Sequence, residues 1–297
     1  ADGTLDTSFN TSGKLVFNFE ENINYLRSAS LQSDGKIIVA GQCGTSSNAD
    51  FAIARINPDG TFDTTFGIQG KQRIAIQSDD RGRCVAIQSD GKIVAVGQFT
   101  SVEGISMPCN NICRLNADGS IDTTFNIGGS GALFGNGNSN INTVELLANG
   151  KILILGNFGG YNNVPRNNIA VLNQDGTLDT TFNPGSGFVY EFGNSSSLKF
   201  LGLQSNGKFY LSGGFSTYNG TTVNRLIRVN PDGSLDTTFS TGTGFQYSYA
   251  GPISGGLFYD EGEIYAMIIQ PDGKLVVGGK FESYNGSYHR NIMRLNA

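Results

Sequence analysis

The amino-acid sequence predicts an all-β fold: a five-bladed β-propeller of four-stranded antiparallel blades, its ring closed by neighbouring N- and C-terminal units. Three observations carry the prediction. A motif of the type Asp-Gly-Thr-Leu-Asp-Thr-Ser-Phe returns five times along the 297 residues. A hairpin signal, Asp-Gly or Asn-Gly between apolar runs, repeats in phase with it. No stretch sustains the 3.6-residue apolar period of a helix.

The first motif begins at Asp2, Asp59, Asp118, Asp175 and Asp232, with spacings of 57, 59, 57 and 57. Its Asp6-Thr7-Ser8-Phe9 half and the copies predict a single turn capped by the Asp side chain. The hairpin motif reads Ser33-Asp34-Gly35-Lys36 and returns at Ser89–Lys92, Ala148–Lys151, Ser205–Lys208 and Pro271–Lys274. Its central pair predicts a type I′ turn, which needs positive φ at both positions. A third motif, Ala54-Arg55-Ile56-Asn57, closes each unit, with counterparts at 113–116, 170–173, 227–230 and 293–296. In the first unit the predicted strands are Lys14–Phe19, Ser28–Gln32, Lys36–Ala40 and Phe51–Asn57, which makes four per unit.

The repeats span approximately 2–58, 59–117, 118–174, 175–231 and 232–297, with no linker or composition break between them. A single domain over 1–297 is therefore expected. Overlaying Ala297 on Ala1 regenerates the internal junction Arg114-Leu115-Asn116-Ala117-Asp118-Gly119. Neither end resembles the atypical repeat that caps an open solenoid, so a closed ring is the expected arrangement.

Composition narrows the function classes. Gly is 42 of 297 without a Gly-X-Y period, which excludes collagen, and 38% hydrophobic residues supply a core. A net charge of −5 lacks the basic footprint of a nucleic-acid binder. No apolar run is long enough for membrane insertion as a helix. One histidine, His289, leaves little room for His-based catalysis, and no cofactor or metal is expected.

These motifs resemble the delta-60 repeat family, whose units read Leu-Asn-x-Asp-Gly-Ser-Leu-Asp-x-x-Phe with a Gln-x-Asp-Gly-Lys hairpin. The resemblance covers the whole chain five times over. It implies a β-propeller module of bacterial secreted or cell-surface proteins, sometimes of phage proteins with a virion location. The family brings no established catalytic residues.

Of 25 acidic residues, 13 belong to the repeated turns. Asn57-x-Asp59-Gly60-x-x-Asp63 has the oxygen ligands of a small calcium loop, but turn capping accounts for the same residues. A glycoside hydrolase needs two carboxylates roughly 5–10 Å apart; of the 12 acidic residues outside the repeated turns, Glu145, Glu191, Asp260, Glu261 and Glu263 are the candidates. No motif unites them, so a non-enzyme is expected. Lys36, Lys92, Lys151, Lys208 and Lys274 predict a ring on one face, reading as solvated strand starts or an anion-attracting patch. Cys43, Cys84, Cys109 and Cys113 allow up to two disulfides, and the spacing of Cys109 and Cys113 is poor for zinc.

Up-and-down strands put the near-identical turns on one face and the variable loops on the other. On the variable face, Phe158-Gly159-Gly160-Tyr161-Asn162-Asn163 shares a pattern with Phe215–Gly220 and Phe281–Gly286. Tyr161, Asn162, Tyr218, Asn219, Tyr284 and Asn285 are thus candidates for stacking on and hydrogen-bonding a sugar; packing and turn formation are the alternative. The fifth repeat has about nine extra residues around Ala250–Glu263, which adds Tyr247, Tyr249 and Tyr259 as candidates. The expected function is a non-catalytic binding or adhesion module with a glycan or protein partner. The alternative is a structural subunit of an extracellular or phage assembly.

Overall fold

Each repeat folds around one antiparallel hairpin. The computed structural model describes residues 3–19, 23–45, 48–75, 80–102, 109–133, 139–190, 198–249, 258–261 and 263–296. These fall into two compact units, Ala1–Pro165 with Val171–Leu178, and Arg166–Ala170 with Asp179–Ala297.

In the first unit β1 (Ile23–Leu31), β2 (Ile37–Thr45), β3 (Asn48–Ile56) and β4 (Lys71–Ala75) form a four-stranded sheet in that order. Next, β5 (Arg81–Ile87), β6 (Ile93–Gln98) and β7 (Ile112–Leu115) form a three-stranded sheet. The third repeat supplies β8 (Ala132–Leu133), β9 (Asn140–Leu146), β10 (Ile152–Asn157), β11 (Gly160–Tyr161), β12 (Val164–Pro165) and β13 (Ile169–Leu172). Of these, β9, β10 and β13 make the hairpin sheet, and β8, β11 and β12 make a small second one.

The fourth repeat has β14 (Phe188–Tyr190), β15 (Lys199–Leu203), β16 (Phe209–Ser212), β17 (Phe215–Tyr218), β18 (Thr221–Thr222) and β19 (Leu226–Val229). Again two sheets form, β15-β16-β19 and β14-β17-β18. In the fifth, β20 (Phe245–Tyr249), β21 (Phe258–Glu261), β22 (Glu263–Ile269), β23 (Leu275–Lys280), β24 (Ser283–Tyr284), β25 (Ser287–Tyr288) and β26 (Ile292–Leu295) divide the same way. The sheets are β22-β23-β26 and a four-stranded β21-β20-β24-β25.

The fold class is all-β among the described residues, and the sheets are small and antiparallel. Four strands per repeat in one sheet is corrected. Only the first hairpin sheet has four among the described residues, and its fourth strand, β4, comes from the second repeat. In the third to fifth repeats the strand that follows the Asp-Thr turn joins the Tyr-Asn hairpin instead, which leaves three strands around the main hairpin among the described residues. Lys14–Phe19 is not a strand either. Phe17 packs edge-on against Phe62 at 5.1 Å, and both phenylalanines of the segment join an apolar cluster with Val39, Ala52 and Ile56.

The hairpin turn differs from the type I′ expectation. Gly35 has φ +84° while Asp34 keeps a negative φ. Gly35 N–H donates to Gln32 O at 3.0 Å, and Gln32 N–H to Lys36 O at 2.8 Å. This is a type I turn followed by a left-handed glycine, a three-residue loop. Asp34 selects it, because its Oδ1 accepts Lys36 N–H at 3.1 Å from that conformation. Asp90, Asn149, Asn206 and Asp272 repeat the bond at 3.1 Å.

Each hairpin also carries an irregularity near its far end, as between Gly82 and Cys84. There the strands approach closely enough that a Cβ on Gly97 would lie 2.1 Å from Arg81 O. Beneath the sheets of the first unit lie Ile38, Phe51, Ile53, Phe66, Ile93 and Phe99. In the second unit Tyr210, Leu226, Phe245, Met267, Leu275 and Phe281 form the corresponding core.

Candidate functional site

The three sequence motifs meet at one buried charge cluster. Arg55 of β3 donates Nε to Asp63 Oδ2 at 2.8 Å, and Lys36 Nζ reaches the same oxygen at 2.9 Å. Thr65 fills Oδ1 with its N–H at 3.0 Å and its hydroxyl at 2.6 Å. The guanidinium lies 4.8 Å over the Phe66 ring and donates to Ala117 O in the next repeat.

Arg114, Lys92, Asp122, Thr124 and Phe125 rebuild the cluster, with Arg114 also donating to Gln174 O at 2.5 Å. Arg228, Lys208, Asp236, Thr238 and Phe239 build it again. In the third repeat Val171 replaces the arginine, yet Asp179 is still buried and capped by Thr181 N–H and hydroxyl at 3.0 and 2.6 Å. Burial pushes the Asp63, Asp122 and Asp236 carboxyls up. The threonine, lysine and arginine partners more than reverse this and hold all three well below the usual carboxylate range.

The hairpin lysines are thereby corrected for three repeats: Lys36, Lys92 and Lys208 neutralise buried aspartates rather than standing free as an anion patch. The arginine role was missed. Its signal is in the sequence, since Arg55, Arg114 and Arg228 each precede their Asp by eight residues. Asp59 is likewise used locally, with Oδ1 accepting Thr61 N–H at 2.9 Å and its hydroxyl at 2.7 Å.

The Tyr-Asn hairpins form a second recurring element. Tyr161 and Tyr218 are 0% exposed, so neither offers a ring face to a sugar. Their hydroxyls donate to Gly176 O at 2.7 Å and Gly233 O at 2.6 Å, tying each hairpin to the next Asp-Gly turn. Burial pushes both phenols up. Tyr284 is only half-buried and packs 5.0 Å from Phe245.

Asn162, Asn219 and Asn285 all sit at positive φ, the turn role. Asn162 Oδ1 accepts Gly131 N–H at 2.9 Å and its amide pairs with Asn126. Asn219 accepts from Ser186 N–H at 3.2 Å and Asn285 from Gly244 N–H at 3.1 Å. These amides clamp the preceding loop, and their acceptor oxygens are engaged there.

Among the described residues, the fifth repeat alone extends its second sheet with a strand like β21. In register, Tyr247 stands opposite Asp260, Tyr249 opposite Phe258, and Tyr259 opposite Ser248. The side chains of Tyr247, Tyr249, Tyr259, Asp260 and Glu261 lie outside the described residues, as does Glu191. Glu145 is part-buried in β9, and burial pushes its carboxyl up; Glu263 is exposed at the start of β22. All four cysteines are free thiols, with Cys43 and Cys113 buried in core clusters.

Among solved structures, the chain is similar to a protein from Lactobacillus plantarum (10% identity, TM-score 0.49), covering 91% of this chain and 71% of that one. It is also similar to the gluconolactonase XC5397 of Xanthomonas campestris at 12% identity and TM-score 0.39, covering 86% and 83%. A third is the extracellular domain of the hybrid two-component system BT4673 of B. thetaiotaomicron, at 13% identity and TM-score 0.42, covering 98% of this chain and 31% of that one. No curated protein matches the sequence. A family match falls once on every repeat, at residues 32–66, 88–125, 147–182, 204–239 and 270–297, so the chain belongs to the DUF5122 β-propeller family, a domain of unknown function.

Proposed function

We propose that the chain is a closed five-bladed propeller serving as a non-catalytic binding module of a secreted or cell-surface bacterial protein. One observation carries the reading. The recurring parts are structurally committed, whereas the β20–β21 hairpin departs from the repeat and has no counterpart among the described residues of the other second sheets. Buried ion clusters and clamped Tyr-Asn turns make a rigid scaffold, and a unique hairpin on such a scaffold is where recognition is placed. Tyr247, Tyr249 and Tyr259 supply the stacking groups for a glycan or protein partner.

The test is binding of the purified protein to a glycan array and to cell surfaces. A variant carrying Tyr247→Ala, Tyr249→Ala and Tyr259→Ala should lose the signal while keeping its melting temperature. Equal binding by that variant, or no binding by the unaltered protein, sinks the proposal. Closure has its own measurement: spin labels placed at residues 3 and 296 should lie within about 20 Å, roughly six extended residues.

A further inference from the structure

In the first unit Lys36 and Arg55 share Asp63, Lys92 and Arg114 share Asp122, and Arg73 reaches Asp50 at 3.5 Å. The arginines of the neighbouring strands β1 and β5 depart from this pattern. Arg27 and Arg83 hold equivalent positions, each eight residues before its hairpin glycine, Gly35 or Gly91. Among the described residues neither makes an ion pair. Arg83 is half-buried, and its Nε is enclosed without an acceptor. At the same position in the fourth repeat a cation is engaged: Lys199 donates to Ile264 O at 3.3 Å and lies 4.8 Å over the Tyr265 ring.

One backbone device places both arginines. The β1–β2 register steps from Leu26–Gly41 to Ser28–Ala40, and the β5–β6 register from Gly82–Gly97 to Cys84–Val96. Arg27 and Arg83 are the extra residues of two bulges, and a bulge re-aims the side chain it carries. Just past them the strands are tied together. Ser28 Oγ accepts Val85 N–H at 3.3 Å and donates to Cys84 Sγ at 3.8 Å, and the Ser30 hydroxyl donates to Val85 O at 3.0 Å. Burial and the like charges of Arg27 and Arg81 push the Arg83 guanidinium down. Glu145 of β9 is not its counter-ion, since burial alone acts on that carboxyl and pushes it up.

We infer that Arg27 and Arg83, backed by the charge of Arg81, form an oxyanion site for a tetrahedral phosphate or sulfate group. A half-buried guanidinium beside like charges is costly until an anion completes it. Two guanidinium forks come from two strands; a tetrahedral anion presents several acceptor edges to them, whereas a carboxylate presents one bidentate edge. The second negative charge of such an ion also answers the local excess of cations. Arg27 lies 5.8 Å over the Tyr25 ring, which is 54% exposed and offers an apolar face to whatever carries the group. The site shares no residue with the β20–β21 hairpin and does not rest on recognition there.

Two experiments on the full chain test it. The first is titration calorimetry at constant ionic strength with inorganic phosphate, inorganic sulfate and phenyl phosphate. Saturable binding is expected, weaker by about tenfold or more in Arg27→Gln and in Arg83→Gln. Arg290→Gln, which removes the same charge from an exposed pair with Glu282, should bind as the unaltered chain does. Tighter binding of phenyl phosphate than of phosphate assigns the group to a larger molecule packed on Tyr25; equal or weaker binding assigns the site to the free ion. No saturable binding, acetate binding as tight as phosphate, or the same affinity in all three variants overturns the inference.

The second separates a binding role from a structural one by thermal melts. Arg83→Met keeps an apolar stem and removes an uncompensated charge, so in chloride buffer it should melt no lower than the unaltered chain. Added phosphate should then raise the melting temperature of the unaltered chain more than that of the variant. The variant is the reference because phosphate and sulfate stabilise folded chains in general. A lower melting temperature for Arg83→Met in chloride, or an equal rise in both chains, overturns the inference.

Discussion

Arg55 and Asp63 share a 2.8 Å ion pair across eight residues of chain, and neither is more than 6% exposed. A buried pair of this kind contributes little net stability over apolar replacements, but removing one partner strands the other. The clusters should therefore tolerate single changes badly.

Asp122→Asn leaves Arg114 and Lys92 without their anion while preserving an acceptor for Thr124. Unfolding free energy should fall by about 3 kcal/mol. Urea titration checks this as a lower midpoint at unchanged slope. A loss under about 0.5 kcal/mol, the scale of an ordinary surface change, contradicts the assignment.

Acid should act through the same groups. Asp63, Asp122 and Asp236 have folded-state carboxyls held well below the unfolded value. Their contribution is complete above the unfolded carboxylate pKa of about 3.9 and is lost as pH falls further, because the unfolded chain then binds more protons. Urea midpoints measured from about pH 7 to about pH 2 should hold down to about pH 4 and then drop, less steeply in Asp122→Asn. Stability that rises on acidification below about pH 4 contradicts the sign.

Tyr218→Phe deletes only the donor to Gly233 O. A cost of about 1–2 kcal/mol is expected, since the carbonyl is left buried, with no change in ligand binding. Calorimetry and the array measurement together distinguish this from a recognition role, which would reverse the two outcomes.

Gly97→Ala would put a methyl 2.1 Å from Arg81 O, a backbone atom that cannot swing aside. Destabilisation of about 2–3 kcal/mol is expected from the forced strand separation, read as a lower melting temperature. An unchanged value would mean that β5 and β6 can part without cost.

Chelator should leave the melting temperature unchanged. Asp59 already spends Oδ1 on Thr61, and Asp63 spends both oxygens on Arg55, Lys36 and Thr65. A fall on adding chelator would show a metal in the loops.

Much of the fold was legible because the sequence repeats its instructions. Asp34-Gly35 announced a hairpin correctly, and only the turn type needed coordinates, since Asp34 bonds Lys36 N–H from a conformation that composition does not reveal. Sheet membership was harder to read. Lys71–Ala75 pairs with β3, while its equivalent Phe188–Tyr190 pairs with β17, because partner choice depends on contacts distant in sequence. In the candidate site, Tyr161 looked like a ligand platform, since a tyrosine beside a turn reads the same whether its hydroxyl meets solvent or Gly176 O. The arginine–aspartate clusters left a trace in the constant eight-residue interval, which motif-by-motif reading passes over.

Successive turns are joined by one more hydrogen bond: Asn10 to Asp59, Gly67 to Asp118, Asn126 to Asp175, and Asn183 to Asp232, each from N–H to carbonyl. All four joints use backbone atoms only, at 2.6–2.8 Å. Deletion or duplication of a whole repeat, cut at equivalent points, would recreate the same joint at the scar. Copy number in such a gene can then drift by recombination without a new joint having to evolve.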